Sequence, residues 1–156
     1  MATVRVHAER VVDVPAETVY AVLRDMEQHH PHILPPAFAG FTVESGGVGA
    51  GTVVRFTFTA GGRTRSYRMT VAEPEPGRVM TETDTDSSLV TTFTVTPQGT
   101  ASRVCIDTEW AGAGGVGGFF ERTFAPRALQ RIYADELQRL ETYAAGLARG
   151  GGAAGS

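Results

Sequence analysis

Three stretches of this chain hold residue types at spacings that could do chemistry. Gly112, Gly114 and Gly117 form a literal G-x-G-x-x-G between a strand-like run and a long helical pattern. In that setting glycines cradle a dinucleotide pyrophosphate. His29, His30 and His32 crowd into "HHPHILPP", with Asp25 one turn back, donors enough for a two-histidine, one-carboxylate metal site. Asp84 and Asp86 stand two apart in "ETDTDSS", the spacing that opens a calcium loop. Each reading fails on its surroundings. No strand pattern follows Trp110, so the second parallel strand and its ribose-binding acid are missing; Glu136 lies at a suitable distance but within a helical pattern. Pro31 breaks the register that would align the histidines, so that segment reads as a polar, partly exposed connector, and no metal is expected there. Leu89 stands where a calcium loop needs glycine, which leaves a hairpin turn.

Other catalytic layouts find little support. Cys105 is the only cysteine, with no histidine near it in sequence, and reads as an inert thiol. No G-x-S-x-G is present. All 14 basic residues are arginines, which excludes a Walker lysine, a Schiff-base lysine and a lysine general base. All four histidines precede residue 33, so acid–base work by the sheet or long helix falls to Tyr67, Glu82, Glu109 or Arg55. No cofactor is implied. A net charge of −3 gives no electrostatic case for nucleic acid. No apolar run approaches the ~20 residues of a membrane span, and the N-terminus lacks a signal-peptide pattern, so a cytoplasmic location is expected. Nothing in the composition bears on oligomeric state.

The elements that would position such residues follow from periodicity. Residues 3–14 alternate Val4, Val6 and Ala8 with Arg5, His7 and Glu9, the mark of a half-buried strand. Pro15 ends it, and Ala16, Val19, Leu23 and Met26 recur at helical spacing over 15–27. A short helical turn fits between Pro31 and Pro35. From Phe41 six short runs rich in Val, Thr and Phe are joined by turns of two to five residues, an antiparallel meander. Residues 116–148 read as one long helix, with Pro126 a point of kinking or restart. One domain is expected over residues 1–148, and the Gly/Ala-rich residues 149–156 read as a disordered tail.

Seven strands at ~4.8 Å spacing make a sheet roughly 30 Å wide, against ~10–12 Å for one helix. The sheet must therefore curl around the C-terminal helix, and a single helix in so wide a concavity implies either a heavily aromatic core or a hydrophobic cavity. Alternation turns Phe56, Phe58, Tyr67, Met69, Phe93, Ile106 and Trp110 toward that interior, and Phe119 and Phe120 begin the long helix. These nine are the candidate ligand-binding residues. No catalytic residue can be singled out among them.

"VDVPAETVYAVLRDMEQHHPHILP", "ESGGVGAGTVVRFTF" and "FFERTFAPRALQRIYADELQRLETYAA" together resemble the polyketide cyclase/dehydrase and lipid-transport group. That group belongs to the START-like (SRPBCC, birch-pollen-allergen-like) superfamily, and the likeness spans residues 3–147. It implies an α+β helix-grip fold: a seven-stranded curved antiparallel sheet wrapped around a long C-terminal helix, with two short helices after the first strand. It also implies an internal cavity for a bulky hydrophobic small molecule, extending to a cyclase- or aromatase-like reaction. The alternatives are a non-catalytic carrier or sensor of a lipid, quinone or similar metabolite, and a chaperone-activator-like interaction module. In such a fold Gly112–Gly118 is a hinge between the last strand and the long helix. Polar groups converging inside the cavity would favour an enzyme, an apolar interior a carrier, and an exposed apolar patch a module.

Overall fold

The computed structural model describes residues 3–60, 62–111 and 126–155. Strand β1 (Thr3–Val12) leads to helix α1 (Ala16–Arg24) and a 3-10 turn (His30–Ile33). Six strands follow: β2 (Phe38–Ser45), β3 (Val53–Ala60), β4 (Arg63–Glu75), β5 (Val79–Asp84), β6 (Val90–Gln98) and β7 (Ala101–Ala111). Helix α2 (Pro126–Gly155) closes the chain. The sheet order is β1-β7-β6-β5-β4-β3-β2, and every neighbouring pair is antiparallel. The meander and the helix-grip architecture are as expected. The βαβ unit required by the dinucleotide reading is absent from the described residues. The glycine hinge at 112–118, and Phe119 and Phe120, lie outside them.

One element boundary differs from the periodicity. Residues 116–125, where the long helix was expected to start, lie outside the described residues, and α2 is described from Pro126. It continues to Gly155, through residues whose Gly/Ala composition suggested a disordered tail.

The loop between β2 and β3 is docked, not free. Gly49 N–H donates to the Arg24 carbonyl at the end of α1, and Met26 N–H donates to the Gly47 carbonyl, each at 2.9 Å. Gly49 has φ +74, and a Cβ there would collide with Arg24 Nη2 and the Glu73 carboxylate. Glu73 accepts from Tyr20 Oη (2.8 Å), Arg24 Nε (3.1 Å) and Ala50 N–H (2.8 Å). One carboxylate on β4 thus ties α1 to the glycine loop, and the Arg24 guanidinium holds it below its ordinary pKa.

α2 lays Leu129, Tyr133, Leu137, Leu140 and Ala144 into the sheet's hollow, the three- and four-residue spacing of one helix face. At its outer side Glu141 accepts from Arg10 Nε and from Asp13 N–H, pinning α2 to β1. No helix among the described residues is long and apolar enough to cross a membrane.

Candidate functional site

An aromatic hollow opens between β2–β5, the 3-10 turn and α2. It encloses about 540 Å³ of space between atoms, counting its open mouth, of which about 40 Å³ would admit the centre of a water molecule. One wall is built from stacked and edge-on rings. Phe56 lies 5.5 Å from Tyr67 and 5.4 Å from Phe38, and Phe38 lies 4.9 Å from Phe58. Phe56 and Phe58 alternate along β3, whose register sets Phe56 opposite Tyr67 on β4 and Phe58 opposite Phe38 on β2.

Of the nine candidate residues, Phe56, Phe58, Tyr67 and Met69 line this hollow. Phe93, Ile106 and Trp110 are buried on the same side of the sheet but belong to the packed core beside it. The turn and β2 contribute Leu34, Phe38 and Phe41, which alternation within β3–β7 could not reveal.

The hollow is also lined by polar side chains. His30, Glu82 and Glu136 line it and are only 2%, 8% and 2% exposed. The partly exposed connector expected for the histidines is corrected here: His30 turns inward, while His29 bonds the Tyr143 hydroxyl at 2.8 Å and His32 stacks on the Tyr143 ring at 5.0 Å. Asp25 is occupied by the backbone amides of Glu27 and Gln28. The cluster disperses because the 3-10 turn sends successive side chains to different faces.

His30 Nδ1 donates to the Leu23 carbonyl at 2.8 Å. That bond fixes the tautomer and leaves the Nε2 lone pair facing Glu82 Oε1, 3.8 Å away. Burial drives the His30 pKa down to about 4, so the ring is neutral near pH 7 and this contact is not an ion pair. Burial pushes the Glu82 carboxyl up to about 7. Glu136 is raised well above its ordinary value, by burial first and by the Glu82 charge second. Beside them a hydroxyl chain runs from Thr91 to Thr108 (2.7 Å) and from Thr108 to Tyr133 (2.5 Å).

Of the residues considered for acid–base work, Tyr67 and Glu82 reach the hollow. Glu109 pairs with Arg5 outside at 3.2 Å, and Arg55 is exposed. Sequence reasoning missed His30, Tyr133 and Glu136. The signal for Glu136 was present: it falls on the apolar stripe of α2, three residues past Tyr133 and four before Leu140, where a carboxylate has no structural reason to sit. Asp84, read as a turn residue, builds that turn by accepting from Ser87 Oγ (2.6 Å) and Arg65 Nη2 (3.1 Å).

Comparison with known proteins fits this geometry. The model of the family described as polyketide cyclase/dehydrase and lipid transport matches residues 3–145. The chain belongs to that family. The solution structure of KanY protein is 38% identical, with a TM-score of 0.80, covering 92% of this chain and 99% of that one. Norcoclaurine synthase from Thalictrum flavum, solved with dopamine and hydroxybenzaldehyde, is 20% identical with a TM-score of 0.68, covering 90% and 86%. The Zhui aromatase/cyclase from Streptomyces sp. R1128 is 16% identical with a TM-score of 0.62, covering 95% and 94%. The last two likenesses are of fold. No curated protein matches in sequence. Membership makes this a ligand-binding member of the START-like superfamily.

Proposed function

We propose that this chain is a cyclase/dehydrase-type enzyme that holds a largely apolar polycarbonyl compound in the aromatic hollow and exchanges protons with it through Glu82 and Glu136. One observation carries the reading: two buried carboxyls line an otherwise largely apolar cavity. A carrier gains nothing from them, since each burial costs free energy unless it is compensated. An interaction module is less well supported. The large apolar side chains exposed among the described residues are Val11 and Val48, single residues on different elements.

The chemistry follows from the two acidities. Glu82, with a pKa of about 7, supplies a carboxylate base near neutral pH, and Glu136 stays protonated and supplies an acid; a pair pushed apart in this way divides the roles. Glu82 removes a proton from the carbon between two carbonyls, and the resulting enolate forms a C–C bond to a ketone carbon further along the chain. The alkoxide oxygen takes the proton of Glu136. Loss of water then needs one more α-proton taken by a carboxylate and one proton returned to the departing hydroxyl. His30 Nε2 can accept a hydrogen bond from protonated Glu82 when water spans the 3.8 Å gap. Space for a few waters at most means that lining side chains must yield to admit a bulky substrate.

The reading is tested with aromatic β-hydroxy ketones, whose dehydration changes their ultraviolet absorption. Wild type should accelerate water loss, and Glu82→Gln should lower kcat by ~10²–10⁴, the ordinary worth of general base catalysis, with binding retained. A protein that binds these compounds but accelerates nothing, with affinity unchanged in Glu82→Gln, is a carrier.

A further inference from the structure

The outer face of the β1–β7 pair carries a second cluster, remote from the hollow. The register sets His7 opposite Asp107 and Glu9 opposite Cys105, so four side chains share one outward surface. The chain's only cysteine therefore stands half-buried on a solvent-facing strand, an unusual place for one of the most buried residue types. His7 Nδ1 meets Asp107 Oδ1 at 2.6 Å, which turns Nε2 toward Glu9 Oε1 at 3.4 Å. The other Glu9 oxygen, Oε2, accepts from Arg103 Nη1 at 2.8 Å. Imidazole and carboxylate are each held from behind, with one donor atom turned inward. Ligand atoms of His7, Glu9 and Cys105 all lie within 4.8 Å of one another.

We propose that His7, Glu9 and Cys105 bind one zinc-class divalent cation on the outer face of the β1–β7 pair, with Asp107 and Arg103 as positioning residues. Tetrahedral coordination with metal–nitrogen and metal–oxygen bonds of ~2.0–2.1 Å puts those two atoms roughly 3.3–3.4 Å apart, the separation already present. Cys105 Sγ, within 4.8 Å of both, must draw closer to complete the set, and water takes the fourth position. The thiol proton leaves to solvent as the sulfur coordinates. Thiolate and carboxylate then offset both charges of the cation. Asp107 behind His7 is the carboxylate–histidine–metal arrangement that orients a ligating imidazole. Ordinary surface pairing would explain His7–Asp107 and Glu9–Arg103, but not the thiol beside them. Sulfur and imidazole select zinc, cobalt or cadmium over magnesium or calcium. Once bound, the ion staples the edge strand β1 to β7.

The test uses the full chain without an affinity tag, titrated with cobalt(II) as the spectroscopic stand-in. A thiolate-to-cobalt absorption band should saturate at one ion per chain and be displaced by zinc, but not by magnesium. Cys105→Ser should abolish it, and Asp107→Asn should weaken cobalt binding ~10–100-fold, the usual effect of losing such a support. The altered side chains are partly or largely exposed, so circular dichroism should show unchanged folds. A wild-type protein with no saturable band, or a band that persists at full strength in His7→Ala, overturns the proposal.

Discussion

Glu82 and His30 face one another in the hollow with opposite titration behaviour, and both are legible in stability. The folded pKa of Glu82, about 7, lies above its ordinary 4.5. Its contribution is therefore fully present below about pH 4.5 and is lost as pH rises through about 7. The folded pKa of His30, about 4, lies below its ordinary 6.5. Its contribution is present above about pH 6.5 and is lost as pH falls toward 4. Glu82→Gln leaves the histidine in place and removes only the carboxyl. Between about pH 5 and about pH 8 the wild type should therefore lose on the order of 1–3 kcal/mol relative to Glu82→Gln. Denaturant midpoints measured across that range decide it, and parallel curves for the two proteins would mean that Glu82 is not a buried acid. If the acid–base reading is right, the kcat/KM profile of the wild type also rises through about pH 7 as Glu82 ionises, and it falls at higher pH when Glu136 loses its proton. In linear sequence Glu82 was one of four acid–base candidates and could not be singled out from them. Glu82 alternates with Met80 and Asp84 along β5, and that buried face reads like any short strand until the cavity behind it is known.

The elements were far more legible than the side chains they deliver. Period-two alternation and short turns define the strands, and sequential antiparallel pairing follows from loops too short for any crossover. Alternation also placed Phe56, Phe58, Tyr67, Met69, Phe93, Ile106 and Trp110 on the buried side. It could not separate the four that border the hollow from the three that pack beside it, because that depends on how far the sheet curls and where α2 crosses it. Closure of β1 onto β7 was equally hidden, since His7 and Cys105 lie about a hundred residues apart. The purpose of the glycine loop between β2 and β3 appears only with α1 in place. Gly49 combines a left-handed backbone with a space that Arg24 and Glu73 already fill. Gly49→Ala should therefore cost ~1–3 kcal/mol through strain and a displaced Arg24–Glu73 pair. Gly62→Ala is a useful control, because it shares a positive φ but meets nothing within 4 Å. Calorimetric melting of both variants separates backbone strain from the docking clash, and equal losses would remove the docking role.

At the scale of the molecule the question is whether the hollow between sheet and helix is space kept open or a slightly loose core. A core packed to ordinary density resists added volume, with overpacking costing ~1–3 kcal/mol. A kept-open hollow accepts it. Leu34 borders the hollow and is only half-buried, so Leu34→Phe can turn its ring into space that now admits a few waters. Val104 is fully buried in the packed part of the sheet, so Val104→Phe has nowhere to expand. Leu34→Phe should lower stability by less than ~1 kcal/mol while reducing affinity for an apolar naphthalene dye at least about tenfold, because the ring takes the dye's place. Val104→Phe should cost several times more stability. Dye fluorescence and energy transfer from Trp110, the only tryptophan, report occupancy in both variants. If the dye fails to bind wild type and both substitutions are equally costly, the interior is simply full, and the ligand-binding reading of the aromatic wall falls with it.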